Sequence, residues 1–186
     1  MKMSSPRHPS SQQAVLNKST TIVLAMHGSP PKDFPKKDLT ELFELRAKLR
    51  QGKSTAKEIS DRHDVLDMKM RQWPRTAAND PFYEGSMALG RELSLKTGLD
   101  VFVGFNEFCD PDLDRAIDLA VERGSGTVIV TTPMMTQGGA HSKNDIPAAI
   151  QKARQDHPNA KICYAWPFPV SAVAGFIADH LKTFLS

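Results

Sequence analysis

The chain has 186 residues, 40% of them hydrophobic and 24% charged, with a formal net charge of +3. That balance suits one ordinary globular domain and excludes collagen-like, wholly disordered and membrane-embedded chains. The charge is too mild to argue for nucleic acid, although it permits an acidic small-molecule partner.

Met1 to Ser19 is rich in Ser, Gln and Pro and lacks an apolar period, so it reads as a flexible tail. The run Ile22 to Met26 follows, ending in His27-Gly28-Ser29-Pro30, and predicts a buried strand and a loop. It is far shorter than the ~20 residues that cross a bilayer and has no cleavage-site context, so a cytoplasmic protein without membrane attachment is expected. Two cysteines, Cys109 and Cys163, provide no disulfide framework and suit a reducing compartment.

Between positions 32 and 75 no strand pattern occurs. Leu39, Leu42, Phe43, Leu45 and Leu49 predict one amphipathic helix. Thr55 with Glu58 reads as a capping box opening a second, with Ile59, Leu66 and Met70 on one face. The segment carries 12 Lys or Arg against 8 Asp or Glu, a local +4. It reads as a helical insertion or lid in the first crossover, separable from the rest of a 20–186 domain.

Asp80-Pro81 then opens a helix with Phe82, Leu89 and Leu93 on one face, closed by Gly98. A second strand, Val101 to Phe105, is followed by Asp110-Pro111, which reads as the same opening device. The helix after it has the stripe Leu113, Ile117, Ala120 and Val121, and Gly124 ends it. Thr127 to Thr132 predicts a third strand, and a helix begins near Asn144 or Asp145. Lys161 to Trp166 predicts a fourth strand, and Ser171 to Leu185 a last helix with Val173, Ile177, Leu181 and Leu185 inward. Strands alternating with helices predict a doubly wound α/β fold with a mostly parallel four-stranded sheet.

Ligands of such sheets collect outside the carboxyl ends of the strands. His27 follows the first strand, Glu107 the second, and His141 lies in the glycine-bearing loop after the third. Two imidazoles and a carboxylate suit a divalent first-row metal in a site with open positions. His8, His63, His157 and His180 read as surface or packing residues, and Cys109 as a small buried thiol rather than a ligand. Met134, Met135 and Trp166 read either as core or as the wall of a flat apolar pocket.

Taken together, the strand-His-Gly-Ser element, Phe-x-Glu before a helix, and Pro-x-x-x-x-x-Gly-x-His followed by Asp-Ile-Pro resemble the class II tetrapyrrole metal chelatases. The resemblance is narrower to the small sirohydrochlorin cobaltochelatases and ferrochelatases of cobalamin and sirohaem synthesis. It runs through Val23–Ser29, Val101–Glu107 and Thr131–Pro147, while the 32–75 segment matches poorly. Asn106 is polar where the family pattern leads one to expect an apolar residue. The resemblance implies a lyase-type enzyme that inserts Co2+ or Fe2+, with Ni2+ a further option, into an acidic tetrapyrrole without ATP. It implies metal binding and catalysis by His27, Glu107 and His141, no organic cofactor, and pairing as a homodimer. A metallochaperone or an inactive relative remains an alternative. A histidine phosphatase would need an arginine before the histidine, where Met26 stands.

Overall fold

A computed structural model describes residues 20–51 and 57–185, so the expected tail at 1–19 and Thr55 of the capping box lie outside the described residues. Strand β1 (Thr20–Met26) is followed by helices α1 (Lys36–Arg50), α2 (Lys57–Arg71) and α3 (Pro81–Thr97), then by β2 (Asp100–Phe105). Helix α4 (Leu113–Glu122), β3 (Thr127–Thr131), a π-helical turn (His141–Asp145), α5 (Ile146–Asp156), β4 (Lys161–Tyr164) and α6 (Val170–Lys182) complete the chain. The strands form one sheet in the order β2-β1-β3-β4, every pairing parallel.

Because successive side chains of a strand point to opposite faces, β1 feeds two cores. Val23 and Ala25 pack with Val128 and Val130 of β3 against Ile117 of α4 and Ile150 of α5. Leu24 and Met26 pack with Val103 and Phe105 of β2 against Leu42 and Leu45 of α1 and Leu66 and Met70 of α2. The sheet is therefore covered on both sides, which is why its central strand reads as an unbroken apolar run.

This second core changes the meaning of the 32–75 segment. Leu42, Leu66 and Met70 are almost wholly buried, and truncating either leucine to Ala would cost about 2–5 kcal/mol. The hairpin is a structural layer of the domain and not a separable lid. Excising it would remove part of the layer on this face of the sheet, leaving Tyr83, Met87 and Leu93 of α3 against it.

Three further details differ from expectation. In α3, Asp80 caps Tyr83 N as expected, but Phe82 and Leu89 are exposed, and the buried positions are Ser86 and Gly90. Small residues let the helix lie close to β2: a Cβ at Gly90 would come within 2.7 Å of Val103 Cγ2. In α4 the cap is Asp112, accepting from Arg115 N, because Phe105 N donates to Pro111 O at 3.0 Å and holds Asp110-Pro111 beside the strand end. No residue of α6 is buried and the helix joins neither core, so Val173, Ile177, Leu181 and Leu185 do not point inward. Among the described residues its amphipathic pattern has no opposing layer. No helix among the described residues is long and apolar enough to cross a membrane.

Candidate metal centre

Strands β1 and β3 lie side by side, yet their following connections lead to opposite edges of the sheet, since β2 flanks β1 and β4 flanks β3. This is the switch point at which open α/β sheets form a ligand crevice beyond the strand ends. His27 is the first residue past β1. Parallel register pairs Met26 with Phe105, so β1 and β2 end together. The ladder runs on past both ends: Asn106 N donates to Met26 O and Glu107 N to His27 O, each at 2.9 Å.

Asn106 adds its side-chain amide to Met26 O at 2.8 Å, which accounts for a polar residue at that position. Gly28 completes the junction. Its φ of 96° lies in the left-handed region, and a Cβ there would sit 1.8 Å from Glu107 O. Only glycine lets the two loops touch so closely.

His141 arrives differently. It begins the π-helical turn that leads into α5, so it stands on the first helical winding and not in the loop proper. Such turns recur at functional sites because they re-aim a side chain. The rings of His27 and His141 meet edge to face, with centroids 4.5 Å apart and planes at 89°. One nitrogen of each histidine and one carboxylate oxygen of Glu107 all lie within 4.8 Å of one another.

Hydrogen bonds set the ring orientations. His27 Nδ1 is 2.8 Å from the carbonyl oxygen of Gly28, which can only accept, so Nδ1 carries the proton. His141 Nδ1 donates in the same way to Asp145 Oδ2 at 2.5 Å. Both Nε2 lone pairs are left for a ligand. This is the outer-shell arrangement that fixes metal-binding imidazoles. Sequence reasoning missed Asp145, although its spacing four residues after His141 is the signal that finds it.

Two further groups were out of reach of the sequence. On one side, Arg46 Nη1 and Arg50 Nη2 of α1 lie 3.5 and 3.6 Å from the Glu107 carboxylate. Behind the loops, Arg75 is 6% exposed and pairs with Asp80, itself 1% exposed. Its guanidinium also donates to Ser29 O at 2.6 Å, Met70 O at 2.9 Å and Phe108 O. One buried cation thus ties the loop after β1, the loop after β2 and the end of α2 together. Removing one partner of such a pair costs about 3–5 kcal/mol.

The other candidate residues fall as follows. Cys109 is buried between Ser29 O and Asp80, and burial raises its thiol above the ordinary range, so it is a packing residue. His157 pairs with Asp118 at 2.7 Å and His63 with Asp64 at 2.9 Å, both apart from the cluster. His180 of α6 meets Phe184, just past the helix end, edge to face, and His8 lies outside the described residues. Trp166 Nε1 donates to Met134 O at 2.8 Å and its ring stacks on Tyr164, 5.7 Å between centroids. Burial pushes the Tyr164 phenol up to about 12, so it stays a donor, to Ser142 O at 3.1 Å.

Fold and site together define a doubly wound α/β protein with an open cluster of two histidines and a carboxylate at the carboxyl edge of its sheet, a donor set capable of holding a divalent metal. The sequence profile of the CbiX family matches residues 79–177, more than half of the chain, and the protein belongs to that family. A sirohydrochlorin ferrochelatase of Priestia megaterium is 35% identical over 78 residues, 40% of this chain and 29% of the relative. A sirohydrochlorin cobaltochelatase of the same organism is 38% identical over 79 residues, 42% of this chain and 24% of the relative. The chain thus matches less than a third of the length of these curated relatives. The fold is also that of a cobalamin (vitamin B12) biosynthesis CbiX protein from Marinobacter aquaeolei VT8, with a TM-score of 0.53. That pair is 17% identical, and the match covers 89% of this chain and 97% of the other.

Proposed function

We propose that the protein is a lyase-type chelatase that inserts Co2+ or Fe2+ into a sirohydrochlorin-type tetrapyrrole without ATP, with the metal and the macrocycle as its two substrates. The observation that carries this reading is the convergence of His27, Glu107 and His141 within 4.8 Å at the switch point of the sheet. In this reading the Nε2 atoms of His27 and His141 hold the incoming ion on one side and leave positions for pyrrole nitrogens. Two pyrrole protons must leave as the metal enters; Glu107 is the nearby carboxylate that accepts one and hands it to solvent, and the second leaves by the same route or through a histidine. Holding ion and ring face to face supplies the orientation term of the rate. Membership of the CbiX family and the names of the two relatives support the reaction class.

The homodimer belongs to the same proposal. Phe176, Ile177, Leu181 and Phe184 of α6 and its C-terminal flank are 47–72% exposed, beside a 420 Å³ cavity lined by Met135 and Phe168. A second copy is the partner that would cover this face. An apolar surface of this kind on a soluble chain marks an interface.

The test mixes purified protein with sirohydrochlorin and Co2+ or Fe2+ and follows the absorption spectrum. Insertion clearly faster than in protein-free buffer is expected. Metal binding without accelerated insertion would replace the chelatase by a metal carrier.

A further inference from the structure

A cavity of about 340 Å³ opens beside the metal cluster, lined by Phe43, Arg46, Ala47, Arg50, Gln51 and Glu107. Four cations of the α1–α2 hairpin are consumed within it: Arg62 by Glu41, Lys69 by Asp38, Lys57 by Asp61, Arg71 by Asp67. The two arginines facing the cavity are different. Arg46 is held by Asp67 at 2.5 Å and lies over the Phe108 ring at 4.7 Å, which fixes its fork, yet its second arm turns to Glu107. Arg50 is 76% exposed and has no ion-pair partner but Glu107 among the described residues. At 3.5 and 3.6 Å neither contact with Glu107 is a good hydrogen bond, so both guanidiniums keep donors in hand.

Positive charge beside a site for a divalent cation works against metal binding unless an anion enters with it. A guanidinium fork matches a carboxylate in two parallel bonds. We propose that Arg46 and Arg50 form a subsite that grips a peripheral carboxylate of the tetrapyrrole, with Arg46 as the fixed arm and Arg50 as the adaptable one. This deepens the chelatase reading and rests on it. The subsite makes the protein select a ring bearing carboxylates near its edge and sets which edge faces α1.

The test compares wild-type protein with Arg50→Ala and Arg50→Lys, using free-acid sirohydrochlorin and its methyl ester as probes. Ring binding is followed by tetrapyrrole fluorescence, insertion by absorption, and Co2+ affinity by titration without the ring. Arg50→Ala should lower the preference for acid over ester about tenfold, the size of a lost charge-assisted bond, and Arg50→Lys by less. Co2+ affinity should not weaken. An Arg50→Ala protein that keeps the wild-type preference overturns the subsite while insertion in the same assay upholds the chelatase. If the wild type inserts no metal yet prefers the acid through Arg50, the subsite stands and the chelatase reading falls. Failure of the wild type to bind either ring overturns both.

Discussion

His141 and Asp145 are joined ring to carboxylate across the π-helical turn, with Nδ1 of the histidine 2.5 Å from Oδ2 of the aspartate. The bond occupies Nδ1 and leaves Nε2 as the nitrogen free for a ligand. Replacing Asp145 with Ala frees the ring to rotate and to exchange tautomers. Metal affinity should fall about 10- to 100-fold, the usual cost of losing such a partner. Co2+ titration checks this, with circular dichroism to show that α5 persists. Undiminished affinity in a folded variant would refute the orienting role.

His27→Ala and His141→Ala should each abolish most metal insertion while leaving the fold intact, because both rings lie outside the two cores. Glu107→Gln keeps the shape of the side chain and removes the proton acceptor. It should bind Co2+ while slowing insertion. A collapse of Co2+ affinity in Glu107→Gln would instead make this residue chiefly a ligand.

Gly28→Ala tests the junction of the two loops. The added methyl would overlap Glu107 O, and φ of 96° is costly for any residue with a side chain. The loops must part, so stability should drop by about 1–3 kcal/mol and metal affinity should fall with it. Urea unfolding and Co2+ titration measure the two effects. A variant matching wild type in both would show that the close approach is dispensable.

Acid should loosen the α1–α2 hairpin before the rest of the fold. A hydrogen bond and the charge of Lys69 hold Asp38 below its ordinary value, and Arg62 does the same for Glu41. Burial pushes Asp67 up, but Arg71 and Arg46 outweigh it and the net shift is downward. Carboxyls depressed in the folded state stabilise it above their unfolded pKa, and the contribution is lost as pH falls through the lower folded values. Amide exchange followed from neutral pH downward should therefore show α1 and α2 losing protection below the ordinary carboxylate range, ahead of β1. Simultaneous loss everywhere would count against the hairpin as the weak unit.

Much of this molecule was legible from its sequence. Apolar runs at β1 and β3 and capped helices between them imply a parallel sheet by local periodicity alone. Once the strands are placed, the sheet rule sends the residues after β1, β2 and β3 to one edge. His27, Glu107 and His141 could therefore be picked from positions 80 and 34 residues apart. What stayed hidden depended on contacts between elements. The stripe on α6 reads as a buried face, but amphipathicity does not say whether a partner layer exists.

Sequence alone determined the strand–helix alternation and the three residues at its carboxyl edge, because periodicity and strand ends are local properties of the chain. Tertiary structure decided the rest: that α1 and α2 form one of the two cores, that Arg46 and Arg50 face Glu107, and that Arg75 ties three segments together. The reason is physical. A charge is meaningful only through what lies within a few ångströms of it, and Arg50 and Glu107, 57 residues apart in the chain, become neighbours only after α1 is packed against the sheet.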